Sequence, residues 1–169
     1  LETGAAQNAV NLPRIASEET MRARPYQRLA LALGRLLSAL MPGPIAELEV
    51  ALFGRIADVD PRPIIAGALT GLLGKRLAMP VNEVNATTLA QRQGIAVREV
   101  RSQEARGYLS LVELRAKTGM ESTSVAGTLL GESHPRLVCI DDYQVGAVPE
   151  GCLIFTRHDD RPGVVGALG

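Results

Sequence analysis

Helices packed on a mainly antiparallel sheet, an α+β architecture, follow from three features of this 169-residue sequence. Two stretches carry apolar residues at helical intervals, a later stretch strings several strand-like runs together, and Pro and Gly punctuate the junctions. Consecutive strands with short connectors pair antiparallel, and one face of such a sheet gives the amphipathic helices the apolar surface they need.

The opening, residues 1–17, is polar and irregular and reads as a linker from an upstream domain. From Pro25, the series Tyr26, Leu29, Ala30, Leu33, Leu36, Leu37 and Leu40 builds one apolar helix face, which Pro42-Gly43-Pro44 terminates. Leu48, Val50 and Leu52 then alternate with Glu47, Glu49 and Ala51, the two-residue period of a strand with one wet face. Helical spacing returns over residues 62–76, with Pro61 and Pro63 suited to the first turn. A shorter helix is expected over residues 85–93, capped by Asn85 and stopped by Gly94. Residues 95–101, 111–117, 122–130 and 136–141 read as strands, the second ending in the turn Lys117-Thr118-Gly119. Beyond a joint at residues 146–151, Cys152 to Thr156 is expected to form a further strand, followed by a turn and a helix near Pro162. The predicted domains are thus a linker (1–17), an α+β domain (18–149) and the incomplete start of a second domain (150–169).

Composition limits the functions on offer. Formal net charge is zero and Lys and Arg are dispersed, which argues against nucleic-acid binding and against an anionic membrane surface. The apolar run from Leu29 to Met41 is short for a bilayer and contains Arg35. Cys139 and Cys152 stand among apolar residues and read as buried thiols of a reducing compartment, and His134 and His158 are too isolated to complete a metal site with them.

Catalytic signatures are missing. The glycines Gly67, Gly71 and Gly74 fall inside an amphipathic helix, where they permit close packing, and not in the strand-to-helix turn that a dinucleotide requires. No nucleophile elbow or phosphate loop occurs, so the chain is expected to act by binding. Residues 158–163 form the most informative segment. A turn entering a helix presents the N–H groups of Gly163 and Val164 to a carboxylate, with Asp160 placed to meet an ammonium. Taken alone, these residues favour a plain capped turn, with Asp160 as the cap and His158 and Arg161 in solvent.

Thr156 to Gly166, T-R-H-D-D-R-P-G-V-V-G, resembles the first strand, loop and helix of an ACT domain, a ferredoxin-like amino-acid-binding module. Further blocks, Ala9 to Pro13, Val81 to Ala86, Gln93 to Ile95, Val125 to Leu129, Pro135 to Val138 and Val148 to Gly151, are similar to D-3-phosphoglycerate dehydrogenases of the long, allosteric type. They correspond to the exit from the catalytic part and to the intervening, allosteric substrate-binding domain.

That resemblance implies an NAD-dependent parent oxidising 3-phosphoglycerate to 3-phosphohydroxypyruvate, the first step of L-serine biosynthesis, with its nucleotide and catalytic residues upstream of this chain. It implies an L-serine-type effector site at His158, Asp160, Gly163 and Val164. It also matches Arg136 to an anion-binding basic cluster, although Tyr143, Gln144 and Val148 stand where further basic residues are expected. The partners implied are the chain's own catalytic domain and further copies in a dimer or tetramer, in the cytoplasm, or in the plastid for a plant source. Lys75 and Arg76 read as dipole partners of their own helix's C-terminus. Two alternatives stand beside this. One is a structural spacer without effector response, with the Leu48 to Phe53 strand pairing between subunits if it lies on a sheet edge. The other is the related domain of an iron–sulfur L-serine dehydratase.

Overall fold

The computed structural model describes residues 12–104, 106–131 and 133–156, with side chains from residue 21 onward. Helix α1 spans Leu12–Leu40, β1 Glu47–Gly54, α2 Arg62–Leu73 and α3 Ala86–Arg92. The remaining strands are β2 Ala96–Ser102, β3 Ser110–Thr118, β4 Glu121–Leu130, β5 His134–Ile140 and β6 Tyr143–Ala147. They form one six-stranded sheet in the order β2-β1-β3-β4-β5-β6. All pairings are antiparallel except that of β1 with β2, which α2 and α3 join as a crossover.

Alternation along the strands divides the sheet into two faces. Leu48, Val50 and Leu52 of β1, Val112, Leu114 and Ala116 of β3, Val125 of β4 and Leu137 of β5 point to the helices and join one buried core with the leucines of α1 and α2. That core is almost wholly aliphatic, as the composition requires. The opposite face carries no helix among the described residues.

The two long helices cross in close contact. A Cβ added at Gly71 would lie 2.1 Å from Leu31 O, and one at Gly34 would lie 2.2 Å from Ala68 O. Only glycine lets the backbones meet there, the packing role expected of Gly71. Gly67 does the same against Gln27 O, at 2.5 Å. Gly74 belongs to the turn after α2, and its added Cβ would meet Thr70 O of its own helix.

Several boundaries differ from the sequence expectation. Helix α1 is already formed at Leu12, inside the stretch read as linker, and Pro25 lies within it. Proline fixes φ near a helical value, so it costs a hydrogen bond without forbidding the fold, and burial of Ala23 holds the preceding turn in place. Strand β1 is flanked on both sides, so the sheet edges are β2 and β6. Cys152 to Thr156 forms no strand, because extended chain becomes a strand only beside a paired neighbour. Cys152 is exposed and Cys139 half-buried, so neither is the core thiol expected. Asn85 occupies the N-cap of α3 without capping it; its Oδ1 accepts the N–H of Asn82 at 2.8 Å. Gly94 ends that helix in the left-handed region, at φ 72°.

Candidate functional site on the open sheet face

The helix-free face has an apolar centre and a charged surround. Ala51, Phe53, Leu111, Ala126 and Val138 form a second buried cluster, with Val100, Tyr108 and Cys139 packed on it. Around it, the odd-numbered residues Glu113, Arg115 and Lys117 of β3 share the face with Glu47 and Glu49 of β1. Lys117 Nζ donates to Glu47 Oε1 at 2.8 Å, and Arg98 of β2 reaches the same carboxylate at 3.8 Å. Glu113 accepts from Arg115 at 2.9 Å and from Arg106 at 3.1 Å, and the Arg106 guanidinium lies 3.8 Å from the centre of the Phe53 ring.

These contacts bias protonation in definite directions. The bond from Lys117 holds the Glu47 carboxyl below its ordinary value against an opposing push from burial. The bond to Glu113 raises Arg115 further above neutrality. Burial, aided by Glu113, Asp142 and Asp141, pushes the Cys139 thiol up and favours its protonated, less nucleophilic form.

Arg136 stands on this face in β5, opposite Thr128, and is half-buried. Its Nη1 donates to Pro135 O at 3.2 Å, and no acidic residue among the described ones pairs with it. Arg115 lies opposite Ser124, four residues back along β4, which at the usual strand rise is about 13 Å away. Arg136 therefore offers a guanidinium with spare donors that stands well apart from Arg115.

At the other end of the face, Arg115, Ser122, Ser124, Asp141, Asp142 and Tyr143 line a cavity of about 370 Å³. Asp141 Oδ1 there accepts the Ser124 N–H at 2.8 Å and fixes the two-residue loop between β5 and β6. A larger cleft of about 520 Å³ lies where α1, α2 and the approach to β2 meet, lined in part by Lys75 and Arg76. Arg76 fills a structural role there. It donates to Gly43 O at 2.8 Å, to Ser38 Oγ at 3.0 Å, to Ser38 O at 3.3 Å and to Met41 O. It serves the C-terminal carbonyls of α1 and not, as the sequence suggested, those of its own helix. Burial lowers its pKa.

Of the other residues singled out in the sequence, His158, Asp160, Gly163 and Val164 lie outside the described residues. Sequence reasoning missed the Arg106, Glu113 and Arg115 group, although the alternation Glu113-Leu114-Arg115-Ala116-Lys117 is the mark of a strand with a charged face. Among the described residues no cluster of His, Cys, Asp and Glu is arranged to hold a metal, and no helix is long and apolar enough to cross a membrane. Gly67 and Gly71 have the close-packing role read from the sequence, each against the backbone of α1.

A six-stranded sheet backed by helices on one side, with charged side chains around a buried apolar cluster on the other, defines an α+β domain. The chain belongs to the D-3-phosphoglycerate dehydrogenase intervening domain family, whose model matches residues 22–141. Among its relatives are the D-3-phosphoglycerate dehydrogenases of Synechocystis, 34% identical over 97% of this chain, and of Archaeoglobus fulgidus, 32% identical over 96%. That of Bacillus subtilis is 30% identical over 96%. The chain spans about 30% of the length of these curated relatives.

Proposed function

We propose that this chain is the regulatory and oligomerisation portion of an NAD-dependent D-3-phosphoglycerate dehydrogenase, the enzyme that oxidises 3-phosphoglycerate to 3-phosphohydroxypyruvate at the entry to L-serine synthesis. The observation that carries this reading is the order of its parts. An intervening domain matched over residues 22–141 is followed, after residues 142–155, by the T-R-H-D-D-R-P-G segment beginning at Thr156. NAD and the substrate are bound by residues outside this chain, in keeping with the packing duty of its helical glycines. The parent works as a homo-oligomer in the cytoplasm, or in the plastid of a plant.

In this reading L-serine binds at the loop before the final helix. Gly163 and Val164 direct their N–H groups to its carboxylate, and His158 and Asp160 hold its polar end. The intervening domain carries effector occupancy to the catalytic half by shifting the population of domain arrangements, which requires serine to bind one arrangement more tightly than the other. Arg136 adds a single anion contact on the open face. Calorimetry of L-serine on the complete parent tests the site: Asp160→Ala is expected to weaken binding at least tenfold, about 1.4 kcal/mol. Unchanged affinity in that variant removes Asp160 from the site.

A further inference from the structure

Among the described residues no strand pairs with the outer side of β2. Ala96 gives its N–H to Ala46 O at 2.8 Å, and along a parallel strand that duty falls to every second residue. Residues 96, 98, 100 and 102 therefore turn their main-chain groups to β1, and Val97, Glu99 and Arg101 turn theirs away from the sheet. No other described element pairs with that side. Two of the devices that blunt an exposed edge are missing, since β2 contains no Pro and its register with β1 runs unbroken over seven residue pairs; a third, charge, is present at Arg98, Glu99 and Arg101 and restricts what can pair there.

We propose that β2 is the docking edge for a second copy of this chain, pairing antiparallel with its counterpart about a two-fold axis through Val100. This assigns a contact surface to the homo-oligomer of the proposed function and rests on that part of it. The charges choose the register. An axis at Arg98, Glu99 or Arg101 sets that residue against its own copy, like charge on like charge, directly across the pair. An axis at Val100 instead sets Glu99 of each copy against Arg101 of the other, and Val100 against Val100.

That register also satisfies the backbone, because Glu99 and Arg101 are the residues whose N–H and C=O face outward. Each copy exchanges both main-chain bonds at both positions. Glu99 and Arg101 lie two apart on one face of the strand and already bond each other within the chain. The interface turns this pair into a two-by-two arrangement of four charges that alternate in sign. On the opposite face, Val100 packs on the cluster of Ala51 and Phe53, so two clusters merge across the axis. The contact is isologous and closes at two copies, which prevents further growth along that edge.

Sedimentation of the 169-residue chain over a concentration series tests this. Wild type is expected to dimerise, with Glu99→Arg and Arg101→Glu each weakening the dimer about tenfold or more, since each faces like charge with like at two symmetric positions. An equimolar mixture of the two variants is expected to recover the dimer, because the arginines of one copy then face the glutamates of the other. A change in stability within one chain cannot produce that recovery. As a second arm, Val100→Cys in a Cys139→Ser, Cys152→Ser background is expected to form a covalent dimer on oxidation, the two introduced thiols facing each other at a separation a disulfide spans. A wild-type dimer that survives both charge variants and gives no crosslink overturns the β2 interface while leaving the oligomer standing. A chain that stays monomeric at every concentration overturns both.

Discussion

Replacing Gly71 by Ala tests the packing of α1 on α2. The new methyl would sit 2.1 Å from Leu31 O and 2.9 Å from Arg35 N, more than 1 Å inside the ordinary contact distance of 3.4 Å for the first of these. Both obstacles are backbone, so no side chain can swing aside and the helices must separate. Leu33 and Leu37 on α1 and Leu69 and Leu72 on α2 are fully buried in the core the helices share. Each contributes about 1.5–3 kcal/mol, and a gap of 0.5–1 Å forfeits roughly a quarter to a half of such contact energy. Against this loss of about 3 kcal/mol stands a gain of about 1 kcal/mol from alanine's better helix propensity. The net expectation is a destabilisation of about 2 kcal/mol, in the range typical of overpacking. Urea unfolding followed by circular dichroism reads it as a lower midpoint with an unchanged slope. Gly43→Ala is the control, since a Cβ there meets nothing within 4 Å, and it is expected to change stability by less than about 0.5 kcal/mol. A Gly71→Ala protein as stable as wild type would refute the close crossing.

Other consequences follow from the same structure. Arg76→Ala strips donors from the carbonyls of Ser38, Met41 and Gly43 and is expected to cost about 2–4 kcal/mol in the same unfolding assay. Because the folded-state pKa of Glu47 is depressed, its contribution is fully present above the ordinary carboxylate range and is lost as pH falls through the lower folded value. Thermal melts from pH 6 down to pH 3 are therefore expected to decline less steeply in Lys117→Met than in wild type. Thiol labelling at pH 8 is expected to be biphasic, with exposed Cys152 reacting first and Cys139, half-buried and pushed up in pKa, reacting slowly. Arg136→Ala, which loses no ion pair among described residues, is expected to leave stability within about 0.5 kcal/mol while abolishing any chemical-shift response of the open face to inorganic phosphate.

Helix positions were legible where periodicity was strong. The leucine spacing of α1 and α2 and the alternation of β1 identify the residues that face the core. The start of α1 was not, because Pro25 reads locally as a first-turn signal and only burial of Ala23 reveals a helix running on before it. Strand β6 was hidden for a related reason. Its hairpin turns through Asp141-Asp142, with Asp141 at φ 49°, and a pair of aspartates carries a far weaker turn signal than Asn-Gly. The parallel pairing of β1 with β2 depends on a crossover through two helices, and no local pattern encodes it. At the site, Arg136 was found by resemblance to a family and not by chemistry. The partners of Arg76, more than thirty residues away in sequence, and the stacking of Arg106 on Phe53 are tertiary contacts that spacing cannot reveal.

The most direct measurement is the rate of NAD-dependent 3-phosphoglycerate oxidation by the full-length parent as L-serine is raised. A fall in activity that Asp160→Ala moves to higher serine is the expected result. A rate that stays flat across the whole serine range would contradict the regulatory reading of the T-R-H-D-D-R-P-G segment.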